Sequence, residues 1–392
     1  MLSSFEITNF RAFSHLRVER FGRVNLLVGR NNVGKTTFLE ALHVYAADNP
    51  RVVQSDLTDH EELLFQGTSA EIYLDYQSLF HGRQGKGGKI ILGPAHGGTD
   101  RAAADERLTM ELIPMDRVED SEGRSDFHEM DSWDEEPEGE IFFGLRVCRN
   151  GRPVLVSQPR RRRIPPRYHG AVYVRAGEVP PGLLQYWWNS IAATDYERQT
   201  VDLMSIVAPL DSVRLVDDPT RVVRLVDGPT LSPGRVFLVR IQGETEPVPL
   251  KSLGGGAMQM FKIATAVGYS ARMPTPKQQF REVDPAESAD EVPRQRPNVL
   301  LIDEIENGIH YTLHAKLWQL IFRLAERYNL QVFATSHSWD CIEGFQKALA
   351  ADTETDGLII RLEKVQGQEQ TGAVIIDRED LPIVVRDAIE VR

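Results

Sequence analysis

The stretch Leu26 to Leu42, LLVGRNNVGKTTFLEAL, constrains this chain more than any other. An apolar strand runs into a turn of glycine, asparagine and lysine, and a helical pattern follows. Gly29 to Thr36 fits G-x-x-x-x-G-K-[ST] with a strand before it and a helix after it, the context a phosphate-binding loop needs. Successive backbone N–H groups and the positive end of the helix would cradle phosphates. The residues expected to do this are Gly29, Arg30, Asn31, Asn32, Val33, Gly34, Lys35, Thr36 and Thr37. The Lys35 ammonium would reach the β/γ oxygens, and the Thr36 hydroxyl would ligate Mg2+.

A second motif, NVLLIDEIENGIH, gives a buried strand Val299–Ile302 ending in two carboxylates. Asp303 can hold Mg2+ through water, and Glu304 can orient or deprotonate the attacking water. A third, QVFATSHSWD, ends an apolar strand in Thr335, Ser336 and His337, where the imidazole can contact a γ-phosphate. The fourth is KSLGGGAMQMFKIATAV, in which Ser252, Gly254, Gly255 and Gly256 precede a helix predicted to be amphipathic. A helix start without bulky side chains can offer N–H groups and a hydroxyl to a phosphate. It lies about 215 residues beyond the first loop, so it need not serve the same nucleotide in the same chain.

The rest of the chain reads as α/β with a mainly parallel sheet. Strand patterns occur at Phe5–Ile7, Leu16–Val18, Ile72–Tyr76, Ile141–Val147, Ala171–Val174, Leu358–Leu362 and Ala373–Ile376. A helical run covers Gly182 to about Pro209, and another covers Leu313–Tyr328. VRLVDDPT and VRLVDGPT repeat at a period of ten residues, which predicts short strands closed by turns, a small β-meander. Asp100–Glu140 carries sixteen Asp/Glu against four Arg, low in aliphatics, and is predicted to be a mobile surface loop. Pro274–Pro297 is a polar, proline-punctuated linker. The expected domains are 1–98, an acidic insertion 99–140, a middle lobe 141–245 and a closing part 246–392.

Net charge is −12, yet the acidic tract accounts for all of it, leaving 41 Lys/Arg against 41 Asp/Glu elsewhere. Nucleic acid is therefore not excluded as a partner, and PRRRRIPPR (159–167) is one candidate basic piece. No apolar run is long enough to cross a bilayer, and the start MLSSFEITNF lacks the pattern of a signal peptide, so no membrane role and a cytoplasmic location are expected. Two cysteines give neither a disulfide framework nor a thiolate metal site.

The order of the four motifs resembles the ABC-type ATPase heads of the SMC, RecF and OLD group. FEITNFRAF before the phosphate loop, LLIDEIENGIHY and VFATSHSWDCI are similar to RecF/OLD-like AAA family ATPases, in particular ATPase subunits of PARIS-type anti-phage systems. The resemblance covers 1–45 and 245–345 well and the middle third in outline. It implies an ABC-type head with a β-rich lobe and an inserted helical segment. It also implies ATP and Mg2+ as cofactors, and heads that associate head to tail as a homodimer or higher oligomer. Ser252 and its glycines would complete the partner's site, and Arg11 would lie near the nucleotide. SLGGGAMQ departs from the transporter-type signature, which leaves open which glycine meets the γ-phosphate. Gln54 and Gln77 are both candidates for the glutamine of the lobe-connecting loop.

Long heptad segments are missing, so an SMC coiled coil is not expected. With 55 residues after His337, the Toprim nuclease of OLD proteins is not expected. Asp377, Glu379 and Asp380 read as a solvated turn, His310 and His314 as lacking a third metal ligand, and Trp187 and Trp188 as core or subunit contacts. Two functions fit. One is an ATPase switch gating a separately encoded effector, a nuclease or toxin, in antiviral defence. The other is a RecF-type ATPase that clamps DNA in repair or recombination.

Overall fold

The computed structural model describes residues 1–47, 52–59, 62–66, 71–95, 106–119, 125–130, 142–159, 170–177, 179, 181–224, 231–273, 298–352, 354–365 and 370–386. They form two compact units, one built chiefly from Met1–Ala171 with Leu358–Asp377, the other from Val172–Gly357 with Arg378–Glu390.

In the first unit β1 (Phe5–Phe10) and β2 (Phe13–Val18) form a hairpin with Ile7 opposite Leu16. Beyond β1 lie β6 (Lys89–Gly93), β7 (Leu108–Glu119), β9 (Phe142–Arg149) and β10 (Arg152–Ser157), with β8 (Ser125–Glu129) also on β7. This seven-stranded sheet is antiparallel at every junction. The helix α1 (Lys35–Ala46) packs on it, with Phe38 and Tyr45 6.0 and 5.3 Å from the Phe5 ring. The strand that feeds α1, β3 (Val24–Val28), is buried at all five positions, as its continuous apolar run demands. Beside it run β17 (Gly357–Lys364) and the antiparallel β18 (Thr371–Ile376). A helix α2 (Val52–Asp59) and the ribbon of β4 (Leu63–Gln66) and β5 (Glu71–Leu74) complete the unit.

The second unit contains β11 (Ala171–Val174), β15 (Asn298–Ile302) and β16 (Leu330–Thr335), the last two parallel with Ile302 beside Ala334. Its helices are α3 (Pro181–Ile191), α4 (Asp195–Met204), α5 (Gly255–Arg272), α6 (His314–Arg327), α7 (Trp339–Ala351) and α8 (Leu381–Arg386). On α6 the buried residues His314, Leu317, Trp318, Ile321, Phe322 and Ala325 follow a helical period, and Trp318 meets Phe345 of α7 edge-on at 4.9 Å. A separate three-stranded sheet holds β12 (Leu210–Arg224), β13 (Leu231–Ile241) and β14 (Val248–Pro249).

The α/β class stands, but the larger sheet is antiparallel, because its strands follow one another mostly through hairpins. The acidic segment is corrected. Within Asp100–Glu140 the structure places β7, paired on both sides, and β8. Leu108, Met110 and Leu112 alternate inward, while Glu111 lies between Lys89 (2.9 Å) and Arg146 (2.9 Å). Cross-strand cations offset the charge that read as disorder. Expected boundaries at 98 and 140 therefore cut through one sheet, and 246–392 is divided, since β17 and β18 belong to the first unit.

The helical run from Gly182 breaks at Ala193 (φ 61°). Thr194 caps α4 by accepting the Tyr196 N–H, and Glu197 accepts the N–H of Ala193, the residue before the cap, so TDYE starts a new helix. The first VRLVDDPT copy makes no turn; β12 runs through it with a register shift between Asp218 and Val222. In the second copy, residues 225–230 lie outside the described residues, as do the linker 274–297 and the arginine run 160–167. The helix α5 is buried from Ala257 to Ser270 except at Met258, so it is a central helix rather than an amphipathic one.

Candidate active site

The phosphate loop belongs to the first unit. Gly29 (φ 143°), Asn32 (φ 61°) and Gly34 (φ 106°) turn the chain through left-handed conformations that bring backbone N–H groups together. Both glycines are also required by space. A Cβ at Gly34 would lie 2.5 Å from the Phe13 ring, and one at Gly29 would lie 2.4 Å from the Leu362 carbonyl. Val33 is buried, and Thr371 Oγ1 donates to its carbonyl at 3.4 Å, whereas Arg30, Asn31, Asn32 and Thr36 are exposed and Thr37 is half-buried. Lys35 is buried, with Nζ donating to the carbonyls of Gly29 (2.6 Å) and Arg30 (2.9 Å), so its charge is held inside the loop. α1 starts behind Gly34 without a side-chain cap and without acidic residues in its first turn. A nest of N–H groups, an ammonium and an uncapped helix start suit a polyphosphate.

Arg11, expected near the nucleotide, is held by carboxylates of the first unit. Its guanidinium meets Glu40 (3.1 Å) and makes a fork on Glu62 (2.7 and 2.8 Å). Burial alone would lower its pKa, but the charges of Glu40 and Glu62 raise it instead. Arg11 thus ties α1 to the chain after α2, and its hydrogen-bonding edge is taken up by carboxylates. Gln54 is likewise an interior residue, donating to Tyr76 Oη (3.1 Å) and Ser157 Oγ. Gln77 is half-buried in the 3-10 turn Tyr76–Leu79.

The carboxylates belong to the second unit. The parallel register that sets Ile302 beside Ala334 brings Asp303 next to Thr335 at the strand ends. The Thr335 hydroxyl donates to Asp303 Oδ1, and Thr335 Oγ1 accepts the Glu304 N–H at 2.8 Å. Asp303 is 5% exposed and its own N–H donates to the Val174 carbonyl at 2.8 Å. Glu304 sits at φ 48°, with its carboxylate 3.5 Å from His337 Nε2 and both side chains about 40% accessible. The Ile305 N–H donates to the Thr335 carbonyl, and Glu306 accepts from the N–H groups of His337 (2.7 Å) and Ser338 (3.2 Å). One buried acid, one accessible acid and an imidazole thus meet at the same strand ends, a set of groups that suits acid–base chemistry on a phosphoanhydride.

The glycine segment precedes α5 in this unit. Ser252, Gly254 and Gly255 are exposed, and a Cβ at either glycine would meet nothing within 4 Å. Gly256 differs, since a Cβ there would lie 2.3 Å from the Gly308 carbonyl. It is a packing glycine that seats α5 on the turn after Glu304, while Gln259 Nε2 donates to the Glu304 carbonyl (3.3 Å). The sequence reading missed Gln259, Glu306 and the bridging role of Thr335. The signal available for Thr335 was its place at the end of a strand parallel to β15.

Other candidates carry no chemistry. Cys341 is buried, which pushes its thiol up to about 12, so it is no nucleophile. Trp187 and Trp188 are core residues, the latter 5.5 Å from Phe261. His314 Nε2 lies 3.1 Å from the Ile309 carbonyl and His310 Nδ1 2.9 Å from Thr312 Oγ1. Asp377 pairs with Arg20. Among the described residues no group of three or more His, Cys, Asp and Glu could hold a metal ion.

Residues 1–92 match the AAA ATPase domain family, and residues 241–340 match a family described as "AAA domain, putative AbiEii toxin, Type IV TA system". The chain is similar to the DNA replication and repair protein RecF of Clostridioides difficile, 33% identical over 94 residues, 23% of this chain and 25% of that protein. It is also similar to an uncharacterized protein, MJECL10, of Methanocaldococcus jannaschii, 38% identical over 45 residues, 12% of this chain and 20% of the other. The matches thus span a quarter or less of these relatives' length. Among solved structures, an SMC head bound to the C-terminal winged-helix domain of ScpA aligns over 96% of this chain and 98% of its own, at 12% identity and a TM-score of 0.48. With the phosphate loop in one ATPase-family stretch and the carboxylate strand, glycine segment and His337 in the other, the chain is a P-loop ATPase.

Proposed function

We propose that this ATPase is a Mg2+-dependent molecular switch that assembles through ATP-sandwiched heads and gates a separately encoded effector, a nuclease or toxin, in cytoplasmic antiviral defence. Lys35 and the loop N–H groups bind the β/γ phosphates, and Thr36 and Asp303 are the residues that would hold Mg2+. The metal, when bound, offsets phosphate charge. Glu304 orients and deprotonates water, and His337 senses the γ-phosphate.

The observation that carries the assembly is the exposed edge at Ser252, Gly254 and Gly255. It is a helix start without side-chain bulk or a side-chain cap, suited to the nucleotide of a second copy. A gating role is supported by two further facts. Among the described residues no group of three or more His, Cys, Asp and Glu could hold a metal ion for a second reaction, and the family description of 241–340 names a putative toxin.

Glu304→Gln should hydrolyse ATP slowly and accumulate as an ATP-bound dimer or larger species, read as molar mass by light scattering with saturating ATP and Mg2+. A monomer under those conditions contradicts the reading. The RecF-like stretch favours a second reading, a DNA-clamping ATPase. Duplex DNA would then raise the ATPase rate and bind with steep salt dependence, and no effect at micromolar DNA and low salt rules it out.

A further inference from the structure

We infer that Glu306 is a positioning residue for the hydrolytic step: its carboxylate clasps the turn after β16 and holds His337 against Glu304. Two turns meet here within the second unit, residues 303–306 after β15 and 335–338 after β16. Their near ends are fixed by Thr335, which accepts the Glu304 N–H at 2.8 Å and donates to Asp303. Their far ends are fixed by Glu306, whose Oε1 accepts the N–H of His337 at 2.7 Å and of Ser338 at 3.2 Å. Oε2 is buried and meets no hydrogen-bond donor among the described residues, so the bonds that orient this side chain both go to the switch turn.

A carboxylate on backbone N–H groups ahead of a helix could serve only to start that helix. α7 does not need it for that. Ser338 already caps α7 by accepting the Cys341 N–H, and Asp340 places a negative charge in the first turn. The group whose placement depends on Glu306 is the His337 peptide, and the His337 ring lies 3.5 Å from Glu304. Without the clasp the peptide can rotate, and the imidazole leaves the carboxylate that it faces. A misplacement of about 1 Å at a reacting group can cost about a hundredfold in rate.

The inference rests on reading His337 as the γ-phosphate sensor, and the test separates the two. Full-length Glu306→Ala, Glu306→Gln, Glu306→Asp, His337→Ala and the Glu306→Ala/His337→Ala double variant are assayed for kcat and KM with Mg-ATP. Glu306→Ala should lower kcat about tenfold or more with KM within about twofold. Glu306→Gln, whose amide oxygen accepts the same two bonds, should stay within about threefold of the parent. Glu306→Asp keeps the charge but loses the reach, and should behave like the alanine variant. These two conservative changes carry the test should Glu306→Ala not fold. In the His337→Ala background Glu306→Ala should add no further loss. The inference is overturned by a full multiplicative loss in that background, by unchanged kcat in Glu306→Ala or Glu306→Asp, or by loss in Glu306→Gln. Unchanged kcat in His337→Ala overturns the sensor reading and the inference together.

Discussion

Glu304 occupies a left-handed backbone conformation, which costs a residue with a Cβ about 1–2 kcal/mol. The surrounding bonds offset that cost: its N–H goes to Thr335, its carbonyl accepts from Gln259, and its carboxylate faces His337. Thr335→Val should leave the Glu304 N–H without its partner and lower stability by about 1–3 kcal/mol in urea unfolding, with kcat falling too. Glu304→Gln should reduce kcat by about a hundredfold or more while the affinity for ATP, measured by calorimetry, stays close to the parent's. The sequence showed where Lys35, Asp303 and Glu304 lie, because strand-then-carboxylate and glycine-then-lysine are local patterns. It did not show Glu306 or Gln259, whose partners lie 31 and 45 positions away and depend on tertiary register. The carboxylate partners of Arg11, Glu40 and Glu62, were hidden for the same reason: they come from elements distant in sequence.

At the scale of elements, α5 has two kinds of glycine at its start. Gly255→Ala meets open space and should leave the melting temperature within a few degrees of the parent's while weakening ATP-dependent assembly. Gly256→Ala pushes against the Gly308 carbonyl, so α5 must shift off the 304–309 turn, and both stability and kcat should fall. On α1, Arg11→Ala removes the guanidinium that faces Glu40, 3% exposed, and should cost about 3–5 kcal/mol in denaturant unfolding. In β7, burial alone would raise the Glu111 pKa, but hydrogen bonds from Lys89 and Arg146 outweigh it and lower it. Its stabilisation should be complete above the ordinary glutamate range, near pH 4.3, and fade as pH falls through the lowered folded value. The stability gap between the parent and Glu111→Gln, measured from pH 7 down to pH 3, should narrow accordingly. β7 itself was hidden in the sequence because its acids outnumbered the apolar alternation that makes it a strand.

For the whole molecule, two ATPase-family stretches hold the motifs, and most strands and helices around them were legible from periodicity. The division into units was not, since β17 and β18 return to the first unit from the far end of the chain. The central claim is that the glycine edge completes the site of another copy. It is tested most directly by mixing two inactive chains. Lys35→Ala removes the phosphate ligand and leaves the glycine edge, whereas Gly255→Glu blocks the edge and leaves the loop. Each alone should hydrolyse ATP at background rates. An equimolar mixture should recover about a quarter of the parental activity, because about half of randomly paired dimers carry one intact composite site of two. A mixture that stays at the sum of its two inactive components would contradict the account.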